Sequence, residues 1–254
     1  MNLYAKGRHR NIEVMKLWLV AALTLTCAAC APRGDDRGSA AAETPERAAP
    51  AAAPAVAAKP AAPAAARPRV AVLGDSLTAG LGVAKAASYP ALLQERLDAA
   101  ALDFEVVNAG VSGDTSAGGL ARLDWALDGD VRILIVALGG NDGLRGLPPE
   151  ELQGNLAQII ERAQARGITV ILAGMEAPPN YGRDYIVSFH KVYPALAAKY
   201  RVALIPFLLQ GVAGDERLNQ RDGIHPTAAG ARIVADNVWA VLKPIAESRR
   251  RPTT

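Results

Sequence analysis

The chain has 254 residues, half of them hydrophobic and about a fifth charged, which is ordinary for a globular protein and excludes wholesale disorder. The net charge is only +3 and aromatic residues make up 5%, so nucleic acid is not an expected partner. Both cysteines, Cys27 and Cys30, precede the region expected to fold, which excludes a disulfide scaffold or a cysteine metal site there. With only His9, His190 and His225, a multi-histidine metal site is not expected either, and no cofactor is predicted.

Residues 1–30 are predicted to be a secretory signal peptide. A basic start at Met15-Lys16, which is also a candidate for the true start of the chain, precedes the short apolar run Leu17–Leu25 and a set of small residues. The run is too short for a comfortable permanent membrane span. Ala28-Ala29-Cys30 resembles a bacterial lipobox, with Cys27 where Leu is usual. Lipidation of Cys30, plain cleavage and an internal apolar helix therefore remain alternatives.

Residues 31–68 are predicted to be an unfolded linker. Positions 40–66 hold 16 Ala and 5 Pro. Repeated Pro blocks helix continuation and Ala buries too little surface to build a core, so a semi-extended tether between an anchor and an exported domain is expected. A cleaved or degraded low-complexity segment is the alternative.

Residues 69–247 are predicted to form a single domain, followed by a basic tail at 248–254. Short continuous apolar runs alternate with amphipathic helices, which indicates an open, doubly wound α/β sheet of parallel strands covered on both faces. The predicted strands are Val70–Leu73, Phe104–Asn108, Ile133–Leu138, Ile168–Ala173 and Val202–Ile205. The predicted helices cover residues 89–99, 116–127, 149–165, 184–199 and 227–242. Ligands of such sheets bind at the carboxyl ends of the strands.

A candidate nucleophile follows the first predicted strand directly, in the string Gly74-Asp75-Ser76-Leu77. A serine in this position is exposed at the functional edge of the sheet. The string is not the G-x-S-x-G elbow of α/β-hydrolases, because Thr78 stands where the second Gly would be. Taken alone, the turn is weak evidence for catalysis.

A candidate general base lies before the last predicted helix, in Asp222-Gly223-Ile224-His225-Pro226. A serine hydroxyl needs a base near neutral pH, and the base needs a carboxylate to fix its tautomer. A spacing of three residues on a turn lets Asp222 reach Nδ1 of His225. The alternative is a capped turn with a surface histidine. His190, in the middle of a predicted helix, is expected to be a surface residue.

Two glycine-rich strings follow the second and third predicted strands: 108–115 (NAGVSGDT) and 139–143 (GGNDG). Acyl transfer develops an oxyanion, which needs preorganised N–H donors. A glycine amide and the side chain of Asn141 are suitable donors, although simple turn geometry explains such strings equally well. A phosphate loop is excluded, because no G-x-x-x-x-G-K-[ST] string is present.

Together the four strings resemble the SGNH (GDSL) hydrolase superfamily over nearly the whole domain. The likeness is strongest to the bacterial acyl-CoA thioesterase I/lysophospholipase L1 branch, often labelled arylesterase. The segments that carry it are 74–80 (GDSLTAG), 112–116 (SGDTS), 138–146 (LGGNDGLRG), 179–183 (PNYGR) and 222–226 (DGIHP). The resemblance implies a flavodoxin-like five-stranded sheet in the order 2-1-3-4-5.

The resemblance also implies roles for five residues. Ser76 would be the nucleophile, His225 the general base and then acid, and Asp222 the residue that orients His225. The oxyanion hole would be formed by the backbone N–H groups of Ser76 and Gly113 and the side chain of Asn141. No invariant position of the family pattern is missing.

Six residues are predicted to contact substrate, because in the resembled branch the loops after Asn141 and around 175–183 border the acyl site. They are Leu144, Arg145, Leu147, Met175, Pro178 and Tyr181. Five are apolar enough to line an acyl groove. Arg145 could meet a phosphate head group, and a solvated loop charge is the alternative.

The leading prediction is therefore a periplasmic, membrane-anchored or secreted serine esterase that acts on small acyl esters and thioesters, and it is expected to be a monomer. A carbohydrate O-acetylesterase is a rival within the same chemistry. A non-catalytic, lipid-binding module of the cell envelope is a rival from another class. The four strings together favour an enzyme.

Overall fold

A computed structural model describes residues 67–249, so the predicted leader, most of the linker and nearly all of the tail lie outside the described residues. Five parallel strands form one sheet in the order β2-β1-β3-β4-β5, which confirms the predicted order. The strands are β1 (Arg69–Gly74), β2 (Glu105–Gly110), β3 (Val131–Ala137), β4 (Thr169–Ala173) and β5 (Ala203–Ile205).

The central strands are buried because both sheet faces are covered by helices. Every residue from Val70 to Leu73 and from Ile133 to Val136 is fully buried. Such continuous apolar runs are typical of parallel strands. β1 pairs with both β2 and β3, so its carboxyl end lies between theirs. The residues that follow these three strands therefore meet at one edge of the sheet.

Eight helices and two 3-10 turns connect the strands within the described residues. The helices are α1 (Ser76–Ala79), α2 (Tyr89–Ala99), α3 (Ser116–Ala121), α4 (Leu123–Ala126), α5 (Gly140–Leu144), α6 (Pro149–Ala165), α7 (Arg183–Tyr200) and α8 (Ala228–Ser248). The 3-10 turns are Lys85–Ala87 and Pro179–Tyr181. α2 packs against α8, whereas α6 packs against α3 and α7.

The predicted helix over 116–127 is wrong in one respect, because it is broken at Arg122. Arg122 has φ −107° and ψ 15°, so it ends α3 and precedes α4. Its guanidinium is hydrogen-bonded to backbone carbonyls at the ends of β1 and β2. We attribute the break to these contacts, together with the low helix propensity of Gly118 and Gly119.

The last helix is longer than predicted. It begins at Ala228 after Thr227, whose hydroxyl accepts a hydrogen bond from the N–H of Gly230, and it runs to Ser248 past Pro244. The prediction ended this helix at 242, yet Ala246 beyond it is fully buried. Two helices went unpredicted, α1 and α5, because at four and five residues they are too short to show a periodic pattern.

Among the described residues, no helix combines the length and apolar character needed to cross a membrane. The same residues contain no group of three or more His, Cys, Asp or Glu side chains placed to hold a metal ion.

Candidate active site

Ser76 lies where β1 turns sharply into α1. Asp75 caps that helix, because its side chain accepts a hydrogen bond from the backbone N–H of Leu77 at 3.0 Å. The turn requires Gly74, since a Cβ there would come within 1.9 Å of the Thr78 hydroxyl oxygen. The serine is thereby fixed at the carboxyl end of β1.

The hydroxyl oxygen of Ser76 lies 2.8 Å from Nε2 of His225. On the other side of the ring, Nδ1 lies 2.7 Å from Oδ2 of Asp222. With the Nδ1 proton donated to Asp222, Nε2 carries the lone pair that faces the serine. The structure thus brings together the three residues predicted as nucleophile, general base and orienting carboxylate.

Asp222 is held as a carboxylate by the turn in which it lies. Its Oδ1 accepts hydrogen bonds from the backbone N–H groups of Ile224, at 2.9 Å, and His225, at 3.0 Å. These bonds, together with the histidine ring, lower the pKa of Asp222 to about 2. Almost half of its side chain is exposed, whereas that of His225 is mostly buried.

The histidine turn is fastened to the loop that follows Ser76. The side-chain amide of Gln220 donates to the carbonyl oxygens of Leu81, at 2.7 Å, and Pro226, at 3.0 Å. The backbone N–H of Gln220 donates to the carbonyl of His225 at 2.7 Å. Gln220 therefore ties the turn that carries His225 to the loop after Ser76, although Gln220 and Leu81 are 139 positions apart in the chain.

Gly113 and Asn141 follow the ends of β2 and β3 and lie at the same cavity as Ser76. Gly113 has φ +86°, a conformation that favours glycine. The Asn141 amide donates to the carbonyl of Asp114 at 2.9 Å and lies 3.3 Å from Oδ2 of Asp75. Ser76, Gly113, Asn141 and His225 all line one cavity.

Asp75 is an unusual neighbour for a nucleophile, because its carboxyl is 2% exposed. Burial raises the pKa of Asp75 to about 6, although the hydrogen bond from Leu77 and the charge of His225 oppose the rise. No prediction covered this side chain, and its place in the string Gly-Asp-Ser was the only signal for it.

The two glycine-rich strings that follow β2 and β3 are also joined by a buried carboxylate. Asp142, 1% exposed, accepts hydrogen bonds from the backbone N–H of Ser116 at 2.8 Å and from its hydroxyl at 2.5 Å. Asn155 of α6 donates to that same hydroxyl at 3.0 Å. The segment that carries Asn141 is therefore fixed against the segment that carries Gly113.

A row of aromatic side chains from the 3-10 turn Pro179–Tyr181 and from α7 supports the Asn141 segment. The row consists of successive ring contacts between Tyr181, Tyr185, Phe189 and Tyr193, tilted or edge-to-face, with ring centroids 5.2 to 6.0 Å apart. The three tyrosine hydroxyls donate to carbonyls of that segment: Tyr181 to Leu144 at 2.7 Å, Tyr185 to Leu147 at 2.8 Å, and Tyr193 to Leu138 at 3.1 Å.

The cavity at Ser76 has a volume of about 310 Å³ and a mostly apolar wall. Its apolar lining consists of Leu77, Leu81, Leu144, Met175, Pro178, Leu209, Ala213 and Ile224. Leu81, Leu144 and Ile224 are also exposed at the surface, so they form part of its mouth.

Three of the six predicted substrate contacts lie at this cavity and three do not. Leu144, Met175 and Pro178 line it. Arg145, Leu147 and Tyr181 are absent from the lining formed by residues 67–249. The Tyr185 hydroxyl bonds the Leu147 carbonyl, Tyr181 bonds back to Leu144, and Arg145 donates to the carbonyl of Gly113 at 2.7 Å.

His190 is a surface residue, as predicted, with its side chain 63% exposed. Its Nδ1 lies 2.7 Å from a carboxylate oxygen of Glu176, which lines the cavity. Leu209, Ala213 and Asn219, which follow β5, were not expected at the site. Nothing in their spacing distinguishes them from ordinary loop residues.

Comparison with known proteins agrees with this geometry. A sequence model of the GDSL-like lipase/acylhydrolase family matches residues 72–233. The chain is 48% identical over 182 residues to the esterase TesA of Pseudomonas aeruginosa, covering 71% of this chain and 90% of that protein. It is 40% identical over 182 residues to an Escherichia coli K12 protein named thioesterase 1/protease 1/lysophospholipase L1, covering 71% of this chain and 86% of that protein.

Solved structures show the same relationship. The crystal structure of TesA matches with a TM-score of 0.67 and 48% identity, covering 70% of this chain and 99% of that one. AlinE4, described as an SGNH-hydrolase family esterase, matches with a TM-score of 0.60 and 43% identity, covering 73% of this chain and 98% of that one. By sequence, fold and the arrangement of its motifs, the chain belongs to the GDSL-like lipase/acylhydrolase family.

Proposed function

We propose that the protein is an exported serine esterase that hydrolyses carboxylic esters and thioesters through an acyl-enzyme on Ser76. The observation that carries this proposal is the row Ser76–His225–Asp222, which opens into an apolar cavity beside Gly113 and Asn141. The names of the similar proteins, esterase and thioesterase 1/lysophospholipase L1, support the same chemistry.

Acylation starts with proton transfer from the serine. His225 takes the hydroxyl proton through Nε2 as Oγ of Ser76 attacks the acyl carbon. The imidazolium that forms is stabilised by Asp222, which also keeps the ring in the correct tautomer. The hydrogen bonds that lower the pKa of Asp222 to about 2 keep it a carboxylate near neutral pH.

The tetrahedral oxyanion is bound by the N–H groups of Ser76 and Gly113 and by the amide of Asn141. One amide hydrogen of Asn141 is committed to the carbonyl of Asp114 at 2.9 Å. The other points towards Asp75 across a longer distance of 3.3 Å. We assign this second hydrogen to the oxyanion, because it is the less tightly held of the two.

Collapse of the intermediate expels the alcohol or thiol, which takes its proton from His225. Water then attacks the acyl-enzyme, with His225 again acting as base, and releases the carboxylic acid and the free Ser76 hydroxyl. No group besides these side chains and water is needed to balance either step.

An apolar acyl chain fits the cavity better than a sugar does. A volume of about 310 Å³ is at the small end of ligand pockets, and the wall is mostly apolar. This wall favours a lipid-type acyl ester over the rival O-acetylated carbohydrate, which would need more polar partners. Substrate contacts are proposed for Leu144, Met175 and Pro178.

The role predicted for Arg145, contact with a phosphate head group, is retained only as the weaker alternative. Its guanidinium is exposed but donates to the carbonyl of Gly113, the residue that supplies an oxyanion donor. We therefore propose that Arg145 steadies the Gly113 turn.

The proposal is tested by hydrolysis of p-nitrophenyl acetate, butyrate and decanoate by the purified full-length chain beside Ser76→Ala. Hydrolysis by the unmodified protein and loss to background in the variant is the expected result. Equal activity of the two would overturn Ser76 as nucleophile. A folded protein that hydrolyses none of the esters would instead favour the lipid-binding module. A strong preference for acetate over decanoate would favour the O-acetylesterase.

Export and anchoring are separate proposals, supported by the sequence of residues 15–30 alone. The mature chain is proposed to begin near Cys30 and to act in the periplasm, at a membrane or outside the cell. Mass spectrometry of the native protein is expected to show residues 1–29 removed, with or without lipid on Cys30. Retention of these residues would contradict export.

A further inference from the structure

Arg122 lies behind the proposed oxyanion hole, at the break between α3 and α4, and its side chain is only 17% exposed. Its guanidinium donates three hydrogen bonds, one to the end of β1 and two to the stretch 109–114. Nε donates to Oδ2 of Asp114 at 2.5 Å, Nη1 to the carbonyl of Ala109 at 2.7 Å, and Nη2 to the carbonyl of Gly74 at 2.8 Å. The Trp125 ring lies 5.9 Å from the guanidinium carbon.

Each of the three acceptors belongs to a segment that carries a proposed catalytic group. Gly74 ends β1, two residues before Ser76, and Ala109 lies in β2, which leads into the Gly113 turn. Asp114 follows Gly113, and its carbonyl accepts a hydrogen bond from the Asn141 amide. One planar guanidinium therefore joins the end of β1, which leads to Ser76, to the segment that carries Gly113.

The Gly113 turn has other hydrogen bonds as well, among them that from the backbone N–H of Val111 to the carbonyl of Gly74 at 3.0 Å and those of Ser116 with Asp142. The N–H of Asp114 donates to the carbonyl of Val111 at 3.1 Å, and Arg145 bonds the Gly113 carbonyl from the exposed side. The Asp114 carboxylate has its ion pair with Arg122, and both side chains are mostly buried. Without the guanidinium, the charge of Asp114 would have no partner at that place and the turn could shift.

We propose that Arg122 is a positioning residue for catalysis, which aligns the Gly113 and Asn141 donors with Ser76 through Asp114, Ala109 and Gly74. This inference rests on the proposed esterase function. Catalysis is more sensitive than folding to such alignment, because a displacement of about 1 Å can cost roughly a hundredfold in rate. Lysine cannot replace Arg122 fully, since an ammonium group lacks the planar fork that reaches three acceptors.

The test compares Arg122→Lys and Asp114→Asn with the unmodified full-length chain on p-nitrophenyl butyrate. The matched control is Arg162→Lys, which alters an exposed arginine paired with Asp124. For both test variants we expect kcat to fall about tenfold to a hundredfold and KM to change much less. The inhibition constant of phenylboronic acid, which forms a tetrahedral adduct on serine, should rise by a similar factor. The control should match the unmodified chain.

A double-mutant cycle separates positioning from simple support of the fold. On an Asn141→Ala background, Arg122→Lys should cost clearly less in kcat than on the unmodified background, because one of the donors that it aligns is gone. Two results would overturn the inference: a lower melting temperature with unchanged kcat and boronate inhibition, or equal losses on both backgrounds. If the unmodified chain hydrolyses no ester, the proposed function fails and this inference fails with it.

Discussion

Oδ2 of Asp75 lies 3.3 Å from the Asn141 amide nitrogen, so two segments 66 residues apart meet directly beside Ser76. The residue before the nucleophile thus orients the side chain proposed to stabilise the oxyanion. The buried carboxyl occupies a space that Gly140 leaves open, since a Cβ there would lie 3.2 Å from the same oxygen. The sequences Gly-Asp-Ser and Gly-Gly-Asn are therefore complementary in shape as well as in chemistry.

Removal of the Asn141 amide should slow catalysis without unfolding the protein. We expect Asn141→Ala to lower kcat about 10²- to 10³-fold, which is the usual cost of one oxyanion donor. Asn237→Ala is the matched control, because the Asn237 amide also makes two hydrogen bonds, to the carbonyls of Leu208 and Gln210, but lies on α8. Steady-state kinetics beside thermal unfolding gives the answer. Equal kcat for Asn141→Ala and the control would remove Asn141 from the mechanism.

The charge and position of Asp222 should matter, rather than its low pKa as such. Asp222→Asn should lower kcat by about 10²- to 10⁴-fold, because the amide favours the wrong tautomer of His225. Asp215→Asn is a close control: the pKa of Asp215 is also lowered to about 2, by Arg217, but it does not contact His225. Comparable losses in the two variants would contradict the proposed role.

The raised pKa of Asp75 predicts an unusual dependence of stability on pH. The folded protein holds this proton up to about pH 6, whereas the unfolded chain releases it near the ordinary value of 3.8. The Asp75 contribution to the free energy of unfolding should therefore fall as pH rises through this window, by about 3 kcal/mol in all, and stay constant above it.

Urea unfolding of Asp75→Asn and the unmodified chain between about pH 4 and pH 7 measures this contribution as the difference between them. The difference should move in favour of the variant as pH rises. Asp215→Asn should show no such change between these pH values. The pKa of Asp215 is lowered, so its contribution to the free energy of unfolding is lost only as pH falls below the ordinary value of 3.8. If the difference in free energy of unfolding does not vary with pH, the pKa of Asp75 is not raised in the folded protein.

Leu144 and Leu147 offer a paired test of the acyl site. Leu144 lines the cavity, whereas Leu147 does not. Leu144→Ala should lower kcat/KM for p-nitrophenyl decanoate about tenfold relative to acetate, since a lost apolar contact of this size is worth roughly 1 to 2 kcal/mol. Leu147→Ala should leave the ratio unchanged. A larger change of the ratio in Leu147→Ala would place the acyl chain elsewhere.

The strands could be predicted because they are continuous apolar runs, and the meeting of the motifs because the motif strings directly follow those runs, whereas the strand order was implied by the family resemblance. The side-chain directions in the loops could not be predicted. Leu144 and Leu147 look equivalent in sequence, yet α5 and the Tyr185 hydroxyl decide which of them reaches the cavity. The helix break at Arg122 could not be predicted for a similar reason. The apolar pattern of 116–127 continues across Arg122, whereas the break is associated with its hydrogen bonds to distant carbonyls.

The central claim, an acyl-enzyme on Ser76, is tested most directly by covalent labelling. The full-length protein is treated with diethyl p-nitrophenyl phosphate, whose phosphorus is attacked as an acyl carbon would be, and is then examined by intact and peptide mass spectrometry. The account predicts one diethylphosphoryl group, located on Ser76, with parallel loss of ester hydrolysis and no label in Ser76→Ala. Loss of hydrolysis with the label on another residue, or with no label at all, would contradict it.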